Sequence, residues 1–536
     1  MPTYKIGLDF GTTNSIISYL TPSGELDAFS YPAPDGPKYI ASFIAYHSDG
    51  YTEIGSPARS AAAHDKSVET YGNFKMRLPL PESEFSQFFR LHQTPVSVTI
   101  DYLRELLISH ENPYSFSREK GEITSLVVSV PEIWQHDIYN LGRQRLQELI
   151  QKNLGLEKQL IQLVSEPVAA AAYYAWEIQR RAKEDNIESF SGNLLVCDMG
   201  GGTFDVSLCR IYGDNKVEVL YFDGQGNKGL ESAGVAFDRY IVQQAYTKKH
   251  GKLLDENSQE FISLLKEFES VKISSHSKAT RNLTNYLNAP EDKAGDEIYK
   301  FSGYTVTLAE VNEAFTPIAL GIEKVITRVK NYTETIGLDI DRVFMVGGFC
   351  QFLLVQKAIT DTIGINKNDP RIDKTFNITN SAYAISYGAC LIANGLVDPI
   401  EKYIHTIGIV LETIKIYTGE REKLEITLIK GGSSLDSLVE PNFYSEEVTP
   451  VEKRIAITLW VQLRSKGKKH QDSLQDMIDL PNYSPNAKYR VGMKVDRSHI
   501  AYLIIKEIRS GQIVEYKLGD IIAKMFPGLV LDEKEE

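Results

Sequence analysis

The chain is poor in the residues that build covalent or metal-stapled frameworks. Its four cysteines, Cys197, Cys209, Cys350 and Cys390, form no C-x-x-C pair, and no two of its ten histidines stand four apart as a helical zinc pair would. That excludes a disulfide scaffold and a structural zinc module, and it suits free thiols in a reducing compartment. No apolar run exceeds the nine residues from Val168 to Trp176, far short of the ~18–20 that a membrane-spanning helix needs. Met1 to Gly7 lead into a strand-like segment with no charged-then-apolar leader, so a cytoplasmic protein without a membrane partner is expected. Positive charge is also scarce, with 58 Lys and Arg against 71 Asp and Glu, a net charge of −13. Nucleic acid is therefore not an expected partner, since neutralising phosphates takes clustered cations. The one basic cluster, Arg464 to Lys469 (RSKGKK), reads as a solvated turn. A G-x-x-x-x-G-K-[ST] loop and an H-R-D segment are both absent, which excludes P-loop and protein-kinase chemistry.

What is present is an ordinary globular composition, 42% hydrophobic and 24% charged, over a length that suits about three domains. Up to residue 397, apolar β-rich segments alternate with long amphipathic helical ones, the pattern of an α/β fold. Tyr4 to Phe10 and Ile16 to Leu20 read as strands, and Leu141 to Asn153, Val168 to Glu184 and Phe261 to Ser274 as helices by apolar spacing. Beyond Gly395 the texture becomes all-β: Ile407 to Leu411, Leu424 to Ile429, Arg454 to Leu463 and Ala501 to Glu507 alternate apolar and polar residues between turn clusters. Between the two textures, Leu396 to His405 (LVDPIEKYIH) reads as a linker, because Pro399 interrupts any helix and the charges oppose burial. The tail from Asp532 to Glu536 is expected to be disordered.

One internal repetition outweighs any single motif. An apolar strand ending in Asp-x-Gly, then small and hydroxylated residues, then a second strand, occurs from Ile6 to Ser15 (IGLDFGTTNS) and again from Leu195 to Asp205 (LVCDMGGGTFD). Two related halves facing each other are implied. In each copy a turn of Gly, Thr and Ser exposes successive backbone N–H groups that bulkier residues would shield, and such concave arrays bind anions, phosphate above all. Asp9 and Asp198 precede the turns and would repel a phosphate; they make sense if Mg2+ with its retained waters lies between. A carboxylate on either side of a metal-bound phosphate chain suits hydrolysis or phosphoryl transfer.

A third glycine element, Arg342 to Phe349 (RVFMVGGF), is a strand running into a Gly347-Gly348 turn and a helix expected from Phe352; it reads as a close approach to ligand or as helix–strand packing. Gly224 to Gly229 (GQGNKG) matches the dinucleotide fingerprint, but its helix is delayed past Ala233 and the early βαβ context is missing, so no dinucleotide site is expected there.

Together these residues resemble the fold shared by actin, hexokinase and the 70-kDa heat-shock ATPases, and within it the 70-kDa heat-shock chaperones. The resemblance runs from about residue 4 to 397 and rests on five segments in the family's order: Gly7 to Ser15, Val130 and Pro131 with Leu163 to Ala171 (LVSEPVAAA), Asp198 to Asp205, Val346 to Gly348, and Ala384 to Ala389 (AISYGA). It implies an α/β, two-lobed, actin-like ATPase domain of duplicated ribonuclease-H-like halves, followed by a smaller all-β domain. Lobe I would span 1–190, lobe II 191–397 with closing helices of lobe I at 370–397, the linker 398–406, and a β-rich substrate-binding domain 407–530. The resemblance to the family's peptide-binding sandwich is faint, confined to Thr406 to Glu412 (TIGIVLE) and the strand after it, and the length remaining implies no helical lid.

Position by position, the resemblance implies ATP or ADP with Mg2+ as ligands. Gly11, Thr12, Thr13 and Asn14 form the first phosphate loop, and Gly200, Gly201, Gly202 and Thr203 the second. Asp9, Asp198 and Asp205 would position Mg2+, mostly through water. Lys75 in Gly72 to Arg77 (GNFKMR) matches the catalytic lysine and Glu166 the catalytic glutamate; with Asp198 and Thr203 they make the expected catalytic set. Gly347 and Gly348 would approach the nucleotide. On the adenosine side Glu269 and Lys272 remain, but the family's neighbouring Arg and Ser are Ile273 and His276, its Ser and Arg after the Gly-Gly turn are Phe349 and Gln351, and its ribose-side Asp is Ala382. Phe349 could stack on the base or fill the pocket. The switch proline is kept as Pro131, while the arginine eight residues on is Tyr139. The family's apolar interdomain linker has become charged, which weakens the expected coupling.

The resulting expectation is an ATP-hydrolysing, chaperone-like monomer whose β domain meets an unfolded peptide or a specific client protein, with a J-domain protein and a nucleotide-exchange factor as possible partners. The alternatives are a nucleotide-sensing scaffold that hydrolyses little, a sugar kinase, and an actin-like filament former.

Overall fold

In a computed structural model the described residues are 2–32, 36–65, 67–87, 89, 93–136, 140–156, 161–213, 215–225, 232–256, 258–366, 368–373, 378–414, 420–465, 468–473 and 477–526. Tyr139, Gly226, Gly229, Lys466, Gly467 and the acidic tail lie outside them. The backbone forms two compact units: Met1–Arg77, Ser83–Ile133 and Ser165–Asp398 make the first, and Leu78–Glu82, Trp134–Val164 and Pro399–Glu536 the second. Among the described residues no helix is long and apolar enough to cross a membrane.

The first unit is built on two sheets of one plan. In one, strand Thr3–Phe10 lies between Asn14–Leu20, antiparallel, and Glu122–Val130, parallel, with Leu26–Ala28 outside Asn14–Leu20. In the other, Gly192–Met199 lies between Phe204–Ile211, antiparallel, and Arg342–Val346, parallel, with Lys216–Gln225 outside Phe204–Ile211. The central strands are covered on both faces; every residue from Asn193 to Met199 is buried. That is why they read as unbroken apolar runs rather than alternating ones.

Helices Glu166–Asp185 and Ile378–Ala393 cross closely. A Cβ on Gly388 would stand 1.7 Å from the carbonyl oxygen of Ala169, and the fully buried run Ala169 to Ala172 supplies the small surface that permits this approach. In the second half an aromatic core gathers Phe237, Phe268, Phe315, Phe349 and Phe352. The 29-residue helix Leu308–Ile336 flanks it, started by a capping box between Thr307 and Glu310 and ended at Gly337 with φ +65°.

The second unit holds two four-stranded antiparallel sheets. One has the order Arg421–Ile429, Thr406–Ile414, Thr458–Gln462, Lys469–Ser473; the other Asn442–Phe443, Tyr489–Val495, Ala501–Glu507, Ile513–Lys517. Between them lies a core that includes Ile407, Leu459, Val491 and Leu503. This module is not purely β, because helix Leu518–Met525 follows the last strand and buries Leu518 and Ile522 in the same core. The strand expected from Arg454 to Leu463 is divided into Arg454–Ile455, paired with Ile478–Asp479, and Thr458–Gln462, paired with Thr406–Ile414. The chain changes partner there, and periodicity alone does not register a change of partner.

Helix Leu141–Asn153 belongs to the second unit as well. Its polar residues meet the β module: Asn140 Nδ2 donates to the His499 carbonyl at 2.6 Å, Gln144 to Asp520 at 2.9 Å, and Arg143 to the Ser498 carbonyl at 3.2 Å. The expectation that charge keeps Leu396 to His405 exposed is corrected: Glu401, Tyr403 and His405 are all buried. Glu401 is stabilised there by a hydrogen bond from His499, whose Nε2 lies 3.0 Å from its carboxylate, and a buried polar group that is hydrogen-bonded costs far less than one that is not.

Candidate functional site

Both Asp-x-Gly turns lie in the first unit and face each other. A Cβ on Gly202 would stand 2.5 Å from Thr12 Oγ1, and one on Gly201 2.8 Å from Thr13 Cγ2. The first turn is fixed by Ser42, whose N–H donates to the Thr13 carbonyl at 2.9 Å and whose hydroxyl donates to that of Gly11 at 2.8 Å. Asn14 opens the returning strand, its side chain beside Thr13 Oγ1. The second turn is anchored from behind: Ser232, Gly234 and Val235 N–H donate to the carbonyls of Gly202, Gly200 and Gly201.

Three aspartates line this meeting point. Asp9 accepts from the Ser129 hydroxyl at 3.0 Å; burial, and then repulsion from Glu166, push its pKa up to about 7. Asp198 and Asp205 are register partners across the second hairpin. Burial, then Glu166 and the other two aspartates, hold Asp198 well above the usual carboxylate range. Asp205, also pushed up to about 7 by burial and Glu166, accepts a short hydrogen bond from the Thr203 hydroxyl and another from the backbone N–H of Ile133 at 2.9 Å. The third glycine element joins them, because Gly347, at φ +84°, would place a Cβ 2.4 Å from Asp198 Oδ1.

Among the described residues one cation, Lys75, lowers the pKa of all three aspartates. Lys75, on the tight turn Phe74–Arg77, is 2% exposed, and its Nζ donates to Glu166 Oε1 at 2.5 Å. Glu166 is the first residue of helix Glu166–Asp185. The structure thus brings together Asp9, Gly11, Thr12, Thr13, Lys75, Glu166, Asp198, Gly200 to Thr203, Asp205 and Gly347. Among the described residues no three His, Cys, Asp or Glu side chains converge closely enough to ligate a cation directly.

The residues expected to hold an adenosine are engaged by other side chains. Glu269 is ion-paired with Arg59. Lys272 donates to both oxygens of the buried Asp238, at 2.6 and 2.7 Å. Phe349 lies in the aromatic core, stacked on Phe352 with centroids 5.3 Å apart. Of the two roles open to Phe349, filling the pocket is the one the packing matches. The backbone and hydroxyl groups at the turns therefore fit a polyphosphate, whereas the side chains named for the base do not fit it as they stand.

Sequence reasoning missed Ser129, Ile133, Arg59 and Asp238, and it gave Gly224 no role of its own. That glycine is the register partner of Asp205, and a Cβ there would meet Asp205 Oδ1 at 2.5 Å. It gives the carboxylate room, a role readable only once the strand pairing is known.

The comparisons with known proteins point the same way. The family model described as Hsp70 protein matches residues 112–403, more than half of the chain. "Chaperone protein DnaK" of Thermosipho africanus (strain TCF52B) is 25% identical over 379 residues, which are 68% of this chain and 56% of that protein. "Chaperone protein DnaK" of Thermotoga neapolitana is 25% identical over 375 residues, with the same shares. The chain thus spans little more than half the length of these relatives. With two sheets of one plan, facing glycine turns and a family match over most of that region, the chain belongs to the Hsp70 protein family.

Proposed function

We propose that the protein binds Mg·ATP between the two glycine turns and hydrolyses it, and that the β module at 407–530 meets a peptide or client protein in a chaperone-like cycle. The observation that carries this reading is the buried Lys75–Glu166 pair beside Asp9, Asp198 and Asp205. The Thr12 and Thr13 hydroxyls and the backbone of Gly11 and Gly200 to Gly202 would hold the phosphates. Asp9, Asp198 and Asp205 would reach Mg2+ through its waters, because a small divalent cation keeps most of its hydration shell. When bound, Mg2+ neutralises phosphate charge.

The Lys75 ammonium stabilises negative charge on the transferring phosphoryl group. Glu166 Oε1 holds that ammonium in place, and the carboxylate orients the attacking water and takes up its proton. Water adds to the γ-phosphorus, the bond to the bridging oxygen breaks, and ADP and phosphate leave. The relatives named above are chaperones, and a J-domain protein and a nucleotide-exchange factor belong to this proposal as partners.

A second reading, a scaffold that senses nucleotide and scarcely hydrolyses it, draws on Glu269 and Lys272 being ion-paired with Arg59 and Asp238. The two are separated by Lys75→Ala and Glu166→Ala. Hydrolysis requires single turnover to fall at least about a hundredfold, with nucleotide affinity changed by far less. Sensing alone leaves the β module's response to nucleotide intact in both variants.

A further inference from the structure

The wall next to the phosphate turns is made of groups already committed to each other. Phe349 follows directly on Gly347 and Gly348, and its ring lies 3.2 Å from where a Cβ of Gly234 would stand; Gly234 itself donates to the Gly200 carbonyl. The ring thus adjoins both the Gly200 turn and the Gly347-Gly348 turn. One face of the ring is stacked on Phe352 at an interplanar angle of 10°. The Lys272 ammonium stands 5.3 Å from its centroid and the Phe237 ring 5.5 Å from it. With 7% of Phe349 exposed, little of the ring is left for a base to stack on.

The charged groups beyond the ring are equally engaged. Lys272 is held by both oxygens of Asp238, and Glu269 by Arg59, and Arg59 also feels the charge of Asp238. Two anions and two cations thus form a neutral set of alternating sign. Recruiting Lys272 to a base would leave the buried Asp238 without its partner. At two further positions that the resemblance assigns to the adenosine, Ile273, 64% exposed, and Ala382 have side chains without a donor or acceptor.

We infer, resting on the proposed nucleotide site, that the cleft takes nucleoside triphosphates by their Mg-bound triphosphate and discriminates little among bases. Discrimination by hydrogen bonds to a base reaches four to five orders of magnitude, whereas apolar contact separates ligands by roughly 10- to 200-fold at most. Here the apolar contact is partial and the hydrogen-bonding groups are spent.

The test is equilibrium binding of Mg·ATP, Mg·GTP, Mg·UTP and inorganic tripolyphosphate with Mg2+ to the full chain, read by calorimetry. The expected result is three nucleotide dissociation constants within about tenfold of one another, with tripolyphosphate displacing all three. Gly202→Val, whose side chain would enter the space of Thr12, should weaken all four ligands alike. A larger preference for ATP overturns the inference while leaving the nucleotide site in place. Failure of every ligand, tripolyphosphate included, removes the site and the inference with it.

Discussion

The Lys75 ammonium lies 2.5 Å from Oε1 of Glu166, a residue 91 positions away in the chain. Lys75 comes from a short turn and Glu166 from the first residue of a helix that follows directly on a strand. Their pairing neutralises only part of the charge nearby, since Asp9, Asp198 and Asp205 all feel Glu166.

Glu166→Gln should therefore lower the pKa of Asp9 from about 7, because it removes the repulsion ranked next after burial and leaves the Lys75 cation in place. Carbon-detected NMR titration of the Asp9 carboxyl in the nucleotide-free protein reads this directly. A pKa that stays near 7 would mean that burial alone sets it.

Gly224→Ala should disturb Asp205 without breaking the strand. The glycine has an ordinary φ, and the nearest atom to an added Cβ is Asp205 Oδ1. Displacing that carboxylate should weaken Mg·ATP binding by about tenfold, the loss of roughly one charge-assisted hydrogen bond. Thermal unfolding should shift little, and calorimetry reads the affinity.

His405 makes the second unit sensitive to acid. It is fully buried, its Nε2 lies 2.9 Å from the Gln135 carbonyl and its Nδ1 3.3 Å from the Arg464 N–H. Nε2–H donates and Nδ1 accepts, an arrangement only the neutral ring can make. Burial pushes its pKa from 6.5 down to about 4. Between those values the unfolded chain holds a proton that the folded one does not, so stability is lost as pH falls through that window, by up to about 3 kcal/mol. Urea unfolding of the wild type and His405→Gln at several pH values should show a steeper slope in the first than in the second, where the buried His499, its pKa also lowered, still contributes.

Asn140→Ala removes the 2.6 Å donor to the His499 carbonyl and should cost about 1–2 kcal/mol. Hydrogen exchange should report faster opening of the turn Asp496 to Ile500. Unchanged protection there would mean that Arg143, and Gln147, which donates to Asp496 at 3.1 Å, hold the turn without Asn140.

Much of the site was legible because its parts are locally constrained. Only glycine fits where the two turns approach, so Gly201 and Gly202 stand in the sequence as a visible run beside Asp198. The fully buried strands show as apolar runs, and helix Leu141–Asn153 shows its bounds through spacing alone. Other features carry no local signal. The donor to Asp205 is the backbone N–H of Ile133, which any residue type supplies equally. Arg59 finds Glu269, and Lys272 finds Asp238, through tertiary structure rather than through spacing. The burial of Glu401 depends on His499, nearly a hundred residues on, so the charged segment read as exposed.

The most direct test of the central claim is single-turnover hydrolysis of Mg·ATP by the purified protein, with binding measured in the same sample and Asp198→Ala as the blank. The account predicts that bound ATP is converted to ADP and phosphate in the wild type and not in the blank. Bound ATP that stays intact in the wild type, or turnover that survives in Asp198→Ala, would contradict it.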